Sequence, residues 1–326
     1  MKEIKISEIN GIKIGHAQDM AGGTGCTAII CETGAWAGVD VRGGGPASRE
    51  TELLKPVNLV EQIHCVMLSG GSAYGLAAGD GAMSYLEEKG VGFDVGVGVV
   101  PIVCGAALFD LVVGSPKSRP DHAMGYEACA NADKMEAGKA IAEGNFGAGT
   151  GASVGKYLGV DTMMKSGIGT YCVEVGGVQC GAIVAVNALG DIIDVETGKT
   201  IAGILTADKT ALSDTVETML SEMSSTRNVF SGNTTISCLI TNAKLTKTQC
   251  NKLASIVHNG YALAIRPVHT SADGDTVFVM ATGEVEVSPD ALGALATRIM
   301  AKAINRAALA AEPAYGLKAA RDFVKE

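Results

Sequence analysis

The residues most able to do chemistry lie at 231–236, Ser-Gly-Asn-Thr-Thr-Ile, where a polar stretch runs into a strand-like one. Two threonines opening a strand are, by themselves, what β propensity provides. They gain a second meaning because a threonine hydroxyl can attack the carbonyl of the residue before it. The N→O acyl shift leaves an ester, water cleaves it, and a new N-terminus exposes a hydroxyl and an α-amine together. That amine has a pKa of about 8, so a useful fraction is free base at neutral pH. A threonine so placed needs no histidine partner, which suits a chain whose five histidines are scattered. The bond cut is then Asn233–Thr234 and the nucleophile Thr234, with Thr235 as the alternative that the doublet keeps open.

Acyl transfer also needs donors for a developing oxyanion and groups that place the amine. Asn187 interrupts the apolar run Val-Ala-Val-Asn-Ala-Leu-Gly at 184–190, and a buried carboxamide must find hydrogen bonds. It serves either a site or a turn before Gly190. The segment Asp-Gly-Asp puts Asp273 and Asp275 on one side of an extended backbone, where they suit an ammonium or a hydroxyl. A tight turn and a metal loop are the alternatives there.

These residues must be carried by elements. Residues 24–41 read as two strands around a Glu-Thr-Gly turn, a hairpin. A glycine-rich loop follows, then a helix over 57–64, a buried strand over 64–68, a Gly-Gly-Ser turn and a helix ending at Gly90. Residues 97–113 are apolar, and 119–140 are alanine-rich and helical after Pro120. After the glycine-rich 144–155 come strands within 171–176 and 181–194. Residues 200–232 lack apolar periodicity and read as an exposed linker. A strand over 234–243, a helix over 246–264, a strand from 276 and a helix over 289–309 capped by Ser288 complete the chain. The pattern is α+β, with helices covering sheets.

Composition narrows the function. Of 326 residues, 47% are hydrophobic and 19% charged, which excludes disorder and allows a large core. Aromatics are 4% against 43 glycines, so small-residue packing and close backbone approach are expected. The net charge of −9 argues against nucleic acid. No apolar run is long enough to span a membrane, and the polar N-terminus is not a signal peptide. Nine cysteines, an odd number with no Cys-x-x-Cys, are expected as buried thiols in a reducing cytoplasm. The scattered histidines offer no metal site, and no cofactor is indicated.

Taken in order, the segments GCTAIICETGAWAGVDVRGGGPASRETELL, LSGGSAYGLAAGDGAMSYLEEKGVGFDVG, VPIVCGAALFDL, GNFGAGTGASVGK, GAIVAVNALGD, GNTTISCLITNAKLTKTQ and IRPVHTSADGDTVFVMATG resemble the DmpA-type self-processing aminopeptidases. That family includes L-aminopeptidase/D-esterases, β-peptidyl aminopeptidases and nylon-oligomer hydrolases, and the resemblance runs over nearly the whole chain. It implies a four-layer αββα sandwich, similar in layering to N-terminal-nucleophile hydrolases but differently connected. It implies one domain over 1–326, cut into 1–233 and 234–326, fragments that stay together and assemble into tetramers or larger homo-oligomers. Thr234 becomes the nucleophile, Asn187 the oxyanion asparagine, and Asp273 and Asp275 the acidic pair, where some members carry Ser and Glu. Lys156 matches a lysine of the nylon-hydrolase branch, its alternative being plain exposure. Ser72 and Tyr74 are weaker candidates for the pocket. The expected substrates are N-terminal amino-acid amides, esters or short peptides. Two rivals remain: an ornithine-acetyltransferase-like enzyme, and an unprocessed relative binding a small ligand through its glycine loops. In the latter, GAGTGASVGK lacks the ending of a phosphate loop because Tyr157 follows Lys156.

Overall fold

The structure is a computed structural model that describes residues 1–224 and 232–323. In chain order its main elements are β1 (Lys13–Asp19), β2 (Thr24–Val41), β3 (Gln62–Ser69), α1 (Ala78–Glu88), β4 (Val103–Ala107), α2 (His122–Ala132), β5 (Ile168–Val175), β6 (Val178–Ala185), α3 (Thr215–Ser221), β7 (Ile236–Ala243), α4 (Lys247–Ala264), β8 (Thr276–Val285) and α5 (Pro289–Ala310).

One hydrogen-bonded ladder runs β5-β6-β7-β8-β2-β3-β4, with β1 beside the first half of β2. Neighbours are antiparallel except β7 with β8 and β3 with β4, which are parallel. Alternating side chains divide the ladder into layers. Ile183, Cys238, Ile240, Phe278 and Met280 of β6–β8 pack against Ile29, Val66, Leu68 and Cys104 of β2–β4. The opposite faces are covered separately. Ala182, Val184, Leu239, Val277 and Val279 lie under α4 and α5, and Ala28, Ile30, Cys65 and Met67 lie under α1 and α2. The result is a four-layer αββα sandwich. Small residues set its spacing: a Cβ on Gly169 of β5 would lie 2.3 Å from the backbone nitrogen of Ala307 in α5. That contact helps explain why aromatics are few.

Three expectations fail. Residues 24–41 form no hairpin but one strand, β2. Gly34 takes a left-handed φ of 82°, and the register slips between Ile30 and Ala35. The Glu-Thr-Gly segment is thus a bulge that bends the strand. The first half of β2 pairs with β1 and β3 and the second half with β8, so this strand joins the two sheet layers. Residues 57–64 are not helical either; a short turn of helix covers Glu52–Leu54, and Gln62 already belongs to β3. Residues 200–232 are less plain than a linker. They carry the strand Thr200–Ala202 and α3, with Ile204 and Leu205 buried, while 225–231 lie outside the described residues. All nine cysteines are free and buried. Among the described residues no helix is long and apolar enough to cross a membrane, and no group of three or more His, Cys, Asp or Glu suits a metal ion.

Candidate active site

Three connections place the sequence-derived residues together. Ile236 opens β7 opposite Thr276, which opens the parallel strand β8. The segments leading into these strands, Asn233–Thr235 and Asp273–Asp275, therefore arrive side by side, bridged at Asn233 and Asp273. Strand β6 runs antiparallel to β7 and ends at Ala185 opposite Ile236, which delivers Asn187 to Thr234. Finally, β3 and β4 point their C-terminal ends at the same place. The turn Gly70–Ser72 and the Phe109–Asp110 segment thus face the site from the other sheet layer.

Thr234 is nearly buried, 4% exposed. Its hydroxyl donates to the Asn233 carbonyl oxygen at 2.5 Å. The same oxygen accepts the Gly274 N–H at 2.8 Å, and the Thr234 N–H donates to the Asn187 carbonyl at 2.8 Å. Glycine is required at 274 because a Cβ there would sit 2.6 Å from the Thr234 Oγ1. Thr235 differs: its N–H donates to Asp275 Oδ1 at 2.8 Å, and its buried hydroxyl has no hydrogen-bond partner among the described residues.

Asn187 uses its whole side chain. Oδ1 accepts the Ser153 N–H at 3.0 Å, while Nδ2 donates to the carbonyls of Phe109 at 2.9 Å and Gly232 at 3.3 Å. Lys156 is 1% exposed, so the surface reading of this lysine does not hold. Its Nζ donates to the Asn187 carbonyl at 3.0 Å and the Gly232 carbonyl at 3.1 Å. Burial lowers its pKa to about 7, although the charges of Asp273, Asp110 and Asp275 pull the other way.

Asp273 and Asp275 do not share one ligand. Asp273 Oδ2 accepts the Thr270 N–H and hydroxyl, both at 2.7 Å. Burial, and then the charge of Asp275, push the Asp273 carboxyl above the ordinary range. Asp275 instead holds Thr235 and, through Oδ2, the His269 Nδ1 at 2.9 Å. Ser72, with a left-handed φ of 55°, lines a cavity of about 100 Å³ together with Phe109, Asn233, Thr234 and Ala272. Tyr74 stands apart, 60% exposed with Arg119 over its ring at 3.7 Å.

The sequence reading missed several residues that build this site. Asp110, 1% exposed, accepts the Thr24 hydroxyl and the Gly71 N–H, both at 2.7 Å, and so fixes the turn carrying Ser72. Lys165 donates to the carbonyls of Gly149, Ala152 and Ser166, tying down the loop that presents Ser153. Burial lowers Lys165 to about 7 and raises Asp110 to about 6. Neither has a local motif; Asp110 is visible only as a charge inside an apolar run, and Lys165 carries no local signal.

This arrangement brings a hydroxyl, a polarised amide carbonyl, a carboxamide donor and a buried amine of low proton affinity into one place. The chain is matched by the model of peptidase family S58 over residues 5–321. It is 38% identical to an uncharacterized aminopeptidase of Mycobacterium bovis, covering 98% of this chain and 97% of that one. It is 30% identical to a 6-aminohexanoate-oligomer endohydrolase of Kocuria sp., covering 91% and 84%. Among solved structures, the L-aminopeptidase D-Ala-esterase/amidase of Ochrobactrum anthropi superposes with a TM-score of 0.70 at 17% identity, covering 95% of this chain and 88% of that one. A Burkholderia sp. β-aminopeptidase gives 0.68 at 20% identity, covering 94% and 86%. These two structures share the layering seen here, an Ntn-hydrolase-like α+β fold. The chain belongs to peptidase family S58 and is a hydrolase of the aminopeptidase and amidase kind.

Proposed function

We propose that the protein cuts its own Asn233–Thr234 bond and then hydrolyses N-terminal amino-acid amides, esters or short peptides with Thr234 as nucleophile. One observation carries this: the Thr234 hydroxyl lies 2.5 Å from the oxygen of the very carbonyl it must attack, and the Gly274 N–H holds that oxygen at 2.8 Å. In the first step Oγ1 bonds to the Asn233 carbonyl carbon while the Gly274 N–H stabilises the oxyanion. The C–N bond then breaks, the leaving nitrogen takes the proton, and an ester remains. Water splits the ester into the Asn233 carboxylate and a Thr234 that carries a free amine and hydroxyl.

The same contacts explain why cutting would arm the site. Lys156 Nζ and Asn187 Nδ2 both donate to the Gly232 carbonyl, one residue before the scissile pair. When Gly232 and Asn233 withdraw, these donors face the space that a substrate carbonyl enters. Asn187 then serves as the oxyanion donor. Lys156, with a pKa near neutrality, serves as the base beside the Thr234 amine. The ligand-binding alternative has less support, since the glycine-rich segment is buried and its lysine is bound to chain carbonyls.

Thr234→Ala tests the proposal. The variant is expected to run as one full-length chain on a denaturing gel and to release no p-nitroaniline from alanine p-nitroanilide. Normal cutting in that variant would reject Thr234 as the nucleophile.

A further inference from the structure

We propose that His269 is a positioning residue for this reaction: its ring N–H holds Asp275 in the orientation that fixes the Thr234–Thr235 peptide. The inference rests on the proposed role of Thr234.

His269 sits in the loop between α4 and β8 with a left-handed φ of 57°. A non-glycine residue rarely adopts this conformation unless its surroundings hold it there, and such residues gather at functional sites. The conformation turns the residue onto Asp275 twice. The backbone N–H donates to Asp275 Oδ2 at 3.2 Å, and the ring Nδ1 lies 2.9 Å from the same oxygen. A carboxylate only accepts, so Nδ1 carries the hydrogen in this pair. The buried Nε2 has no partner among the described residues, so the polar function of the ring is directed to Asp275.

The ring is held by stacking. His258 meets it edge-on at 4.7 Å, and Tyr261 lies stacked at 5.8 Å. Tyr261 in turn donates to Ser237 Oγ at 2.9 Å, at the start of β7. His258 is anchored from the other side, its Nε2 lying 3.0 Å from the Asp40 carbonyl. Asp275 passes the constraint on: its free oxygen, Oδ1, accepts the Thr235 N–H at 2.8 Å. The amide plane between Thr234 and Thr235 is thereby set, and with it the backbone from which the Thr234 hydroxyl projects. Without the ring donor, Oδ2 keeps only the longer backbone contact and the carboxylate is free to rotate away from Thr235.

Three variants separate the donor from shape and backbone strain. His269→Asn keeps an N–H near the Nδ1 position and tolerates the left-handed backbone. His269→Phe keeps the stacked ring but has no donor, and His269→Gly relieves the backbone but has no donor. Self-cutting of freshly translated chains is followed on denaturing gels, and kcat and KM on alanine p-nitroanilide are measured for the processed proteins. Thermal melts confirm folding. Asn is expected to cut within about threefold of wild type, and Phe and Gly about 10- to 100-fold more slowly, as loss of a charge-assisted hydrogen bond implies. For both, kcat falls by a similar factor and KM changes less than about threefold. The inference is overturned if a folded Phe or Gly variant cuts as fast as wild type, or if Asn is as slow as they are. A wild-type chain that stays in one piece would instead defeat the role of Thr234 itself.

Discussion

A lysine following a glycine loop reads from sequence as solvent-exposed or functional with equal ease, and only its burial decides. Lys156 is enclosed, and burial brings its pKa to about 7. Below that value the group is an ammonium; above it, an amine able to take the proton of Thr234. Self-cutting of newly translated protein, followed on denaturing gels in buffers of graded pH, should accelerate as pH rises through about 7 and then level off. A rate that falls over that range would remove Lys156 as the base. Asn187→Ala should lower turnover by about 10²-fold, as loss of one oxyanion donor does, with initial-rate kinetics as the check. At this scale the sequence was informative where chemistry lies within a short segment: Asn233, Thr234, Asn187 and the two aspartates meet in space. It was silent on which partner each side chain selects. Nothing in Asp-Gly-Asp says that Asp273 turns to Thr270 while Asp275 turns to Thr235 and His269, or that the glycine between them supplies an N–H to Asn233.

The elements divide in the same way. Helix α4 was legible because its start is written locally. The Thr246 hydroxyl accepts the Gln249 N–H at 3.2 Å, and the Gln249 side chain accepts the Thr246 N–H at 2.8 Å. Helix α5 follows Ser288, whose hydroxyl accepts the Ala291 N–H at 3.4 Å, with Pro289 in its first turn. Strand β2 was misread because Glu-Thr-Gly suits a turn and a bulge equally. Tertiary pairing selects the bulge: β3 pairs with β2 on both sides of Gly34, at Ile30 and again at Ala35, and β8 takes up the strand from Trp36 onward. The segment at 57–64 was misread because its apolar residues belong to a turn and a buried strand. Thr246→Ala removes one half of the reciprocal cap on α4. It should cost about 1 kcal/mol in denaturant-induced unfolding of the Thr234→Ala background, which is expected to stay in one piece. An unchanged midpoint would show that packing of α4 on the sheet, and not its cap, holds that end.

At the scale of the whole molecule, two parallel strand pairs, β7–β8 and β3–β4, aim their ends at one region from different layers. No single segment could have revealed that. The layered sandwich was available only through resemblance to a family, whereas the alternation of Ile183, Cys238, Ile240 and Phe278 against Ala182, Val184, Leu239 and Val277 accounts for it physically. Strand β7 lies between β6 and β8 in the ladder, so a cut before Thr234 would leave the second fragment bound through its central strand. Intact-mass spectrometry of the purified, denatured protein tests the account most directly. It should find two species, residues 1–233 and residues 234–326. A single mass for the uncut chain, or a second fragment beginning at Thr235, would contradict it.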